Sequence, residues 1–309
     1  MTTSFYEGKT VLVTGAAGFL GSHLVDQLRT VGARVVALDL APAPESWGAF
    51  PRPAEGLRFE RMDIADEPRL TGLLREERPE VLFHLAAVAS PRACARDFTG
   101  AYRVNVQGTF DVLRLSSDVP HFVFLSSSAV YGTPRTLPID EDHPLGGRDP
   151  YAVTKILGET LCANYATNYG RKCSIIRNFN AFGPRQDAEY IVPTVIKQAL
   201  GTGRISIWNA APVRDLMFVD NTEEAILTIG SQPRAGIFNV GSGRGVRIGE
   251  LAQLIATQVG VQSPVEDLRK EVGGSPILVA DVRRLHDLGW VERIPFEAGL
   301  SRTVEWYRG

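Results

Sequence analysis

The chain of 309 residues carries little cysteine and almost no charge imbalance. Its three cysteines, Cys94, Cys162 and Cys173, are an odd number without metal-type spacing, which excludes a disulfide scaffold and a zinc module and reads as reduced, buried thiols. Lys and Arg total 33 against 35 Asp and Glu, a net charge of −2, so a strongly basic nucleic-acid binder and a polybasic membrane-surface protein are both excluded. No stretch of about 18 uncharged apolar residues occurs, and the segment from Met1 to Thr10 has no charged start leading into an apolar run. The expectation is a cytoplasmic protein with neither membrane nor nucleic acid as partner. Repeats and low-complexity tracts are absent, and 44% hydrophobic with 22% charged residues is the composition of a globular chain rather than a disordered one.

What is present is alternation. Thr10–Thr14, Arg34–Leu38, Leu57–Arg61, Val81–Leu85, His121–Leu125 and Cys173–Arg177 are short β-branched runs, nearly continuous in their apolar character, as strands buried on both faces of a parallel sheet require. Between them Phe19–Val31, Glu67–Glu77, Phe98–Ser117 and Pro150–Tyr169 carry apolar residues at helical spacing. This order predicts an α/β fold, a doubly wound parallel sheet of Rossmann type over residues 1–178. Beyond it the punctuation by Pro and Gly becomes denser, with helices expected near 221–229, 247–259 and 296–308. Residues 179–309 therefore read as mainly a smaller C-terminal α/β lobe, the return of segments around 215–245 to the sheet being left open. Ala41–Glu55, rich in proline, reads as a long surface loop.

The first strand runs into Gly15-Ala16-Ala17-Gly18-Phe19-Leu20-Gly21 and then a helix. Glycine is needed where the turn tightens, where backbone nears a pyrophosphate, and where helix packs on strand; the helix N-terminus adds N–H donors and a positive dipole end. Asp39, eighteen residues after Gly21, ends the second strand. A carboxylate there accepts both ribose hydroxyls of an adenosine and repels a 2′-phosphate, which predicts NAD rather than NADP. Asp63 and Ile64, just past the third strand, are placed to meet the adenine, with a helix N-cap as the plainer reading of the aspartate.

Tyr151 and Lys155 stand at i and i+4 on one helical face. A phenol of ordinary pKa near 10 is a poor base at neutral pH, but an adjacent ammonium favours the phenolate. Ser126, Ser127 and Ser128 close a strand at its C-terminal end, where ligands of such sheets bind, and a serine there can hydrogen-bond the oxygen that the tyrosine protonates or deprotonates.

The whole set resembles the extended short-chain dehydrogenase/reductase family, the nucleotide-sugar epimerases and dehydratases. The resemblance rests on the glycine turn with Phe19-Leu20, Asp39, Asp63, His84-Leu85-Ala86-Ala87, Asn105-Val106-Gln107-Gly108-Thr109, Ser126 to Gly132, Tyr151 to Lys155, Arg177 to Asn180 with Gly183-Pro184-Arg185, Arg214-Asp215 and Asn239 to Gly243. It implies that Tyr151 is the catalytic acid and base, that Lys155 holds the nicotinamide ribose, and that Ser127, with Ser128 as second choice, is the helper hydroxyl. It implies further cofactor contacts at Leu85, Ala86, Ala87, Asn105 and Ser126, and a homodimer formed by a four-helix bundle. The substrate implied is a nucleotide-diphosphate sugar, its diphosphate held by Asn180 and Arg214; Trp208 is a candidate for stacking on the base, with a core position as the equal alternative. A third diphosphate ligand, an arginine in the family, is replaced by acid in Glu271-Val272-Gly273-Gly274, with Arg269 or Lys270 as possible substitutes.

The family's sugar dehydratases carry an Asp or Ser and then a Glu after the helper hydroxyl, where this chain has Ser128 and Ala129, neither able to move protons near pH 7. The resemblance is therefore closest to the sugar 4-epimerase-like members: oxidation to a keto sugar with Tyr151 as base, then return of hydride to the opposite face. The alternative is an NAD(P)H-dependent reductase of a nucleotide-linked 4-keto-6-deoxy sugar; a dehydratase and a non-catalytic NAD-sensing protein rank below both.

Overall fold

A computed structural model describes residues 2–44, 56–269 and 275–309. Most of the loop expected at Ala41–Glu55, and the Lys270 to Gly274 stretch, lie outside the described residues.

The apolar runs pair as their two-sided burial requires. Thr10–Thr14 (β1), Arg34–Asp39 (β2), Leu57–Arg61 (β3), Val81–His84 (β4), His121–Ser127 (β5), Lys172–Asn178 (β6) and Gly236–Val240 share a seven-stranded sheet. The pairs β1 with β2, β1 with β4, β2 with β3 and β4 with β5 are parallel. From the Gly236–Val240 edge the order is β6, β5, β4, β1, β2, β3, which reverses direction at β1 and β4. That switch point lies at the ends of β1 and β4, where a doubly wound sheet leaves a crevice for a ligand. The helices up to residue 169 are Thr2–Tyr6 (α1), Phe19–Thr30 (α2), Glu67–Glu77 (α3), Pro91–Arg96 (α4), Phe98–Tyr102 (α5), Gly108–Leu115 (α6) and Pro150–Tyr169 (α7); α2 packs on β1 and β2, and α7 packs on β5. Leu12, Val36, Leu82, Phe122 and Phe124 are fully buried among them.

The helix expected over 98–117 is interrupted. Phe98–Tyr102 and Gly108–Leu115 are α-helical, but Arg103–Gln107 forms a π-turn that carries Asn105 inward to 2% exposure. Such bulges are common at functional sites, and the inward amide here has specific work described below.

The chain divides into two compact units, each assembled from three segments. One comprises Met1–Val130, Gly147–Arg177 and Ala225–Phe238; the other comprises Tyr131–Gly146, Asn178–Glu224 and Asn239–Gly309. The second unit has its own sheet, in which Val213–Phe218 pairs antiparallel with Gly245–Arg247 and parallel with Asn180–Phe182 and Ile277–Leu278. Phe182 anchors its core between the rings of Phe218 and Phe296, 5.8 and 5.4 Å away. No helix among the described residues is long and apolar enough to cross a membrane.

Candidate active site

The glycine turn is shaped by contacts that only glycine permits. Gly15 sits at φ +70°, and a Cβ there would lie 2.6 Å from the Ala86 backbone nitrogen; a Cβ on Gly21 would lie 2.0 Å from the Gly15 carbonyl oxygen. Gly18 caps α2 with extended backbone and without a side-chain hydrogen bond, so the first N–H groups of the helix, from Phe19 and Leu20, are left for an anion. These features fit a dinucleotide pyrophosphate. Asp39 ties the turn to the end of β2, its Oδ2 accepting from Ala17 N at 2.8 Å and its Oδ1 from Ala41 N at 2.9 Å, and each oxygen keeps a lone pair for a ribose hydroxyl. Arg61 is the register partner of Asp39 on β3, brought there by strand pairing, and spends its Nε on the Leu40 carbonyl.

Asp63 is exposed and closes its own turn by accepting from Ala65 N, while Ile64 is buried at 7% exposure. Leu85, Ala86 and Ala87, all half-buried, leave β4 beside β1, with Leu85 N donating to Thr14 O. Asn105 does not point its amide outward. Its Oδ1 accepts from Val88 N at 2.7 Å and its Nδ2 donates to Val88 O and to Thr154 Oγ1, so it acts on the cofactor segment by clamping it to α7. His84 continues this scaffold, bonded to Thr14 Oγ1 at 2.8 Å and Thr109 Oγ1 at 3.1 Å; burial drives its pKa down to about 3 and the Lys155 charge adds to the effect. It is a neutral structural link.

Asp149 caps α7 by accepting from Ala152 N, with Pro150 at the first helical position, which sets Tyr151 in the first turn and Lys155 one turn on. The Lys155 ammonium donates to the Leu125 carbonyl at 2.7 Å and lies 5.9 Å from the Tyr151 ring centroid and 5.0 Å from that of Phe124. Burial lowers its pKa to about 8. Ser127, half-buried at the end of β5, accepts from Ala129 N at 3.2 Å, and its O–H remains to donate. Ser128 is buried at 6% exposure, and Ser126 turns its hydroxyl to the other side, donating to Glu159 Oε1 at 2.5 Å. Alternation along β5 decides this: Phe124 and Ser126 lie on the face that meets α7.

Asn180, Arg214 and Trp208 belong to the other unit. Asn180 and Arg214 sit on adjacent strands, Asn180 opposite Leu216. Asn180 Oδ1 is buried without a hydrogen-bond partner among the described residues. The Arg214 guanidinium donates to Val213 O and more weakly to Pro276 O; it makes no ion pair among the described residues, and burial lowers its pKa. A half-buried cation bonded only to carbonyls is suited to an anionic ligand. Asp215 beside it is fully buried and accepts from Ser242 N, Ser242 Oγ, Gly243 N and Ala280 N, tying two further segments to its strand. Trp208 is half exposed, which removes the core reading of it. Arg269 is exposed and left-handed at φ +50°, and the positions of Lys270 and Glu271 lie outside the described residues.

A doubly wound sheet ending in a glycine turn, with Ser127 on β5 and Tyr151 and Lys155 on α7, defines a member of the extended short-chain dehydrogenase/reductases. The chain belongs to the NAD dependent epimerase/dehydratase family, whose model matches residues 11–241. It is 37% identical to the UDP-glucose 4-epimerase of Mycolicibacterium smegmatis over 308 residues, covering 96% of this chain and 98% of that one. It is 31% identical to the dTDP-glucose 4,6-dehydratase of Streptomyces griseus, covering 96% and 93% of the two chains. Among solved structures, UDP-glucose 4-epimerase from Thermotoga maritima, with UDP-glucose, superposes with a TM-score of 0.89 at 29% identity, covering 97% of this chain and 98% of that one.

Proposed function

We propose that this protein is an NAD-dependent epimerase of a UDP-linked hexose, inverting a carbinol carbon through a transient ketone. The observation that carries the reaction type is Ala129, which stands where the family's dehydratases carry the glutamate that moves a proton. Tyr151 takes the carbinol proton and later returns one to the same oxygen. The buried Lys155 ammonium beside its ring favours the phenolate that this requires, and Ser127 donates to the same oxygen. NAD, when bound, supplies the acceptor and then the donor of hydride. Gly15, Gly18 and Gly21 with the start of α2 hold its pyrophosphate, Asp39 its adenosine ribose, and Asp63 with Ile64 flanks its adenine. Asn180 and Arg214 take the substrate diphosphate, and Trp208 offers its exposed ring to the base. The first unit is thus the cofactor domain and the second the substrate domain.

Phe98, Tyr102 and Leu157 are exposed on the first unit at 44%, 45% and 36%, which supports a homodimer through a four-helix bundle that includes α7. Three free buried thiols suit a reducing cytoplasm.

The test is incubation with UDP-glucose and UDP-galactose followed by chromatography and mass spectrometry. A new peak of unchanged mass is expected with either sugar. A gain of two hydrogens by a nucleotide-linked 4-keto-6-deoxy sugar supplied with NAD(P)H, without interconversion of the two hexoses, would make the enzyme a reductase, and loss of water from UDP-glucose would overturn the argument from Ala129.

A further inference from the structure

Behind Lys155, on the same face of α7, lies a buried ion pair that the proposed reaction does not use. Arg177 on β6 holds Glu159 with both ends of its guanidinium, Nη2 to Oε2 at 2.7 Å and Nε to Oε1 at 3.0 Å, and the two side chains are only 4% and 5% exposed. Ser126 completes the carboxylate's shell from β5. Between Lys155 and Glu159 sits Gly158, where a Cβ would lie 2.4 Å from the Phe124 ring, so α7 is drawn close onto the sheet at this turn. One helix is thereby fastened to two strands, and the fastened turn follows the one that presents Tyr151 and Lys155.

We propose that Glu159 is a positioning residue for the catalytic pair: bonded to Arg177 and Ser126, its carboxylate fixes α7 against β5 and β6 and supplies the negative charge that keeps Lys155 an ammonium beside Tyr151. This rests on the catalytic roles proposed above for those two residues. A buried ion pair is weak evidence of stability for its own sake, because desolvation offsets the attraction, which makes a role in placement and field the better account of it. The groups facing Lys155 support the electrostatic half. On α7 these are Tyr151, Glu159 and Cys162; from the short helix Pro91–Arg96 comes Cys94, itself under the influence of Asp149; from β4 comes His84; from β5 come the Phe124 ring and the Leu125 carbonyl. Burial raises the pKa of the Cys94 and Cys162 thiols and holds His84 neutral, so the imidazole sets no charge beside Lys155. Cys94, Glu159 and Cys162 each push the Lys155 pKa upward against the burial that lowers it, and Glu159 is the only carboxylate among them.

The sequence contains five lysines, Lys9, Lys155, Lys172, Lys197 and Lys270, so lysine-labelled whole protein gives few NMR signals, and a Lys155→Met sample assigns the one of interest. Lys155 should titrate near 8 in the unaltered protein. In Glu159→Gln it should titrate about one unit lower, and the alkaline limb of kcat/KM should move down with it. Glu159→Asp should keep the titration while lowering kcat, because charge is retained and reach is not. Glu159→Gln combined with Arg177→Met leaves no unbalanced buried charge and serves if the single variant does not fold; its Lys155 should shift in the same direction by a smaller amount. An unchanged Lys155 titration in either folded glutamine variant overturns the proposal. A shifted titration in a protein that converts no UDP-sugar would instead leave Glu159 in place and overturn the proposed reaction.

Discussion

At the scale of single residues, the site predicts separable losses. Tyr151→Phe removes the only proton carrier assigned to the reacting oxygen and should lower kcat by about 10²–10⁴ while the protein still carries NAD; single-turnover rates and cofactor released on denaturation measure the two independently. Arg214 has no carboxylate of its own among the described residues, so Arg214→Met should raise KM for a UDP-sugar about 10–100-fold with kcat little changed, the share of one charge-assisted contact. Lys155 gives the pH dependence. Its pKa near 8 means that the ammonium is present at neutral pH and lost above 8, so kcat/KM should fall as pH rises from about 8 toward 10. The sign on stability is opposite: a buried cation whose pKa is lowered from 10.5 burdens the fold below about 8, and that burden lifts as the proton leaves. The positions of Tyr151, Lys155 and Ser127 were legible in the sequence because each depends on local spacing, one helical turn or one strand end. The partners of Ser126 and Asn105 were not, since Glu159 and Val88 meet them only through packing.

At the scale of elements, α7 and its supports decide whether those residues point correctly. Gly158→Ala forces a methyl into the buried Phe124 ring; it should cost about 1–3 kcal/mol of stability and lower kcat about ten- to hundredfold by displacing the turn between Lys155 and Glu159. Denaturant titration and steady-state rates check both. His84 on β4 and His121 on β5 are held neutral by burial, with pKa values near 3 and 4. An unfolded chain protonates both below about 6.5, so the unfolded state gains protons that the fold refuses, and stability should drop by roughly 2 kcal/mol per histidine between pH 7 and pH 5. Equal urea midpoints at the two pH values would contradict this. Strand identity was plain from apolar runs, but the break at Arg103–Gln107 was not, because the helical period of its apolar residues continues across the π-turn and only the inward pull on Asn105 distinguishes it.

At the scale of the molecule, the two units are interleaved along the chain. Ala225–Phe238 belongs with the first unit, where Leu227 O accepts from the Tyr6 hydroxyl and Gly230 O meets His121 Nδ1. A fragment ending at residue 178 lacks these acceptors and the Gly236–Val240 edge strand beside β6, so it should show no cooperative unfolding transition by calorimetry. For the proposed dimer, light scattering should give twice the monomer mass of 33.7 kDa, and Leu157→Glu should halve it. The membership of Tyr131–Gly146 in the second unit was hidden from the sequence, because it depends on distant bonds such as Tyr131 to Asn239 and Glu141 to Asn239 N. The chain passes between the units five times, and the last passage falls at residue 238. A single recombination between the genes of two relatives, anywhere before that codon, therefore transplants pieces of both units together. A crossover that carries the second unit whole must fall before residue 131, and it brings Gly147–Arg177 and Ala225–Phe238 of the first unit along with it.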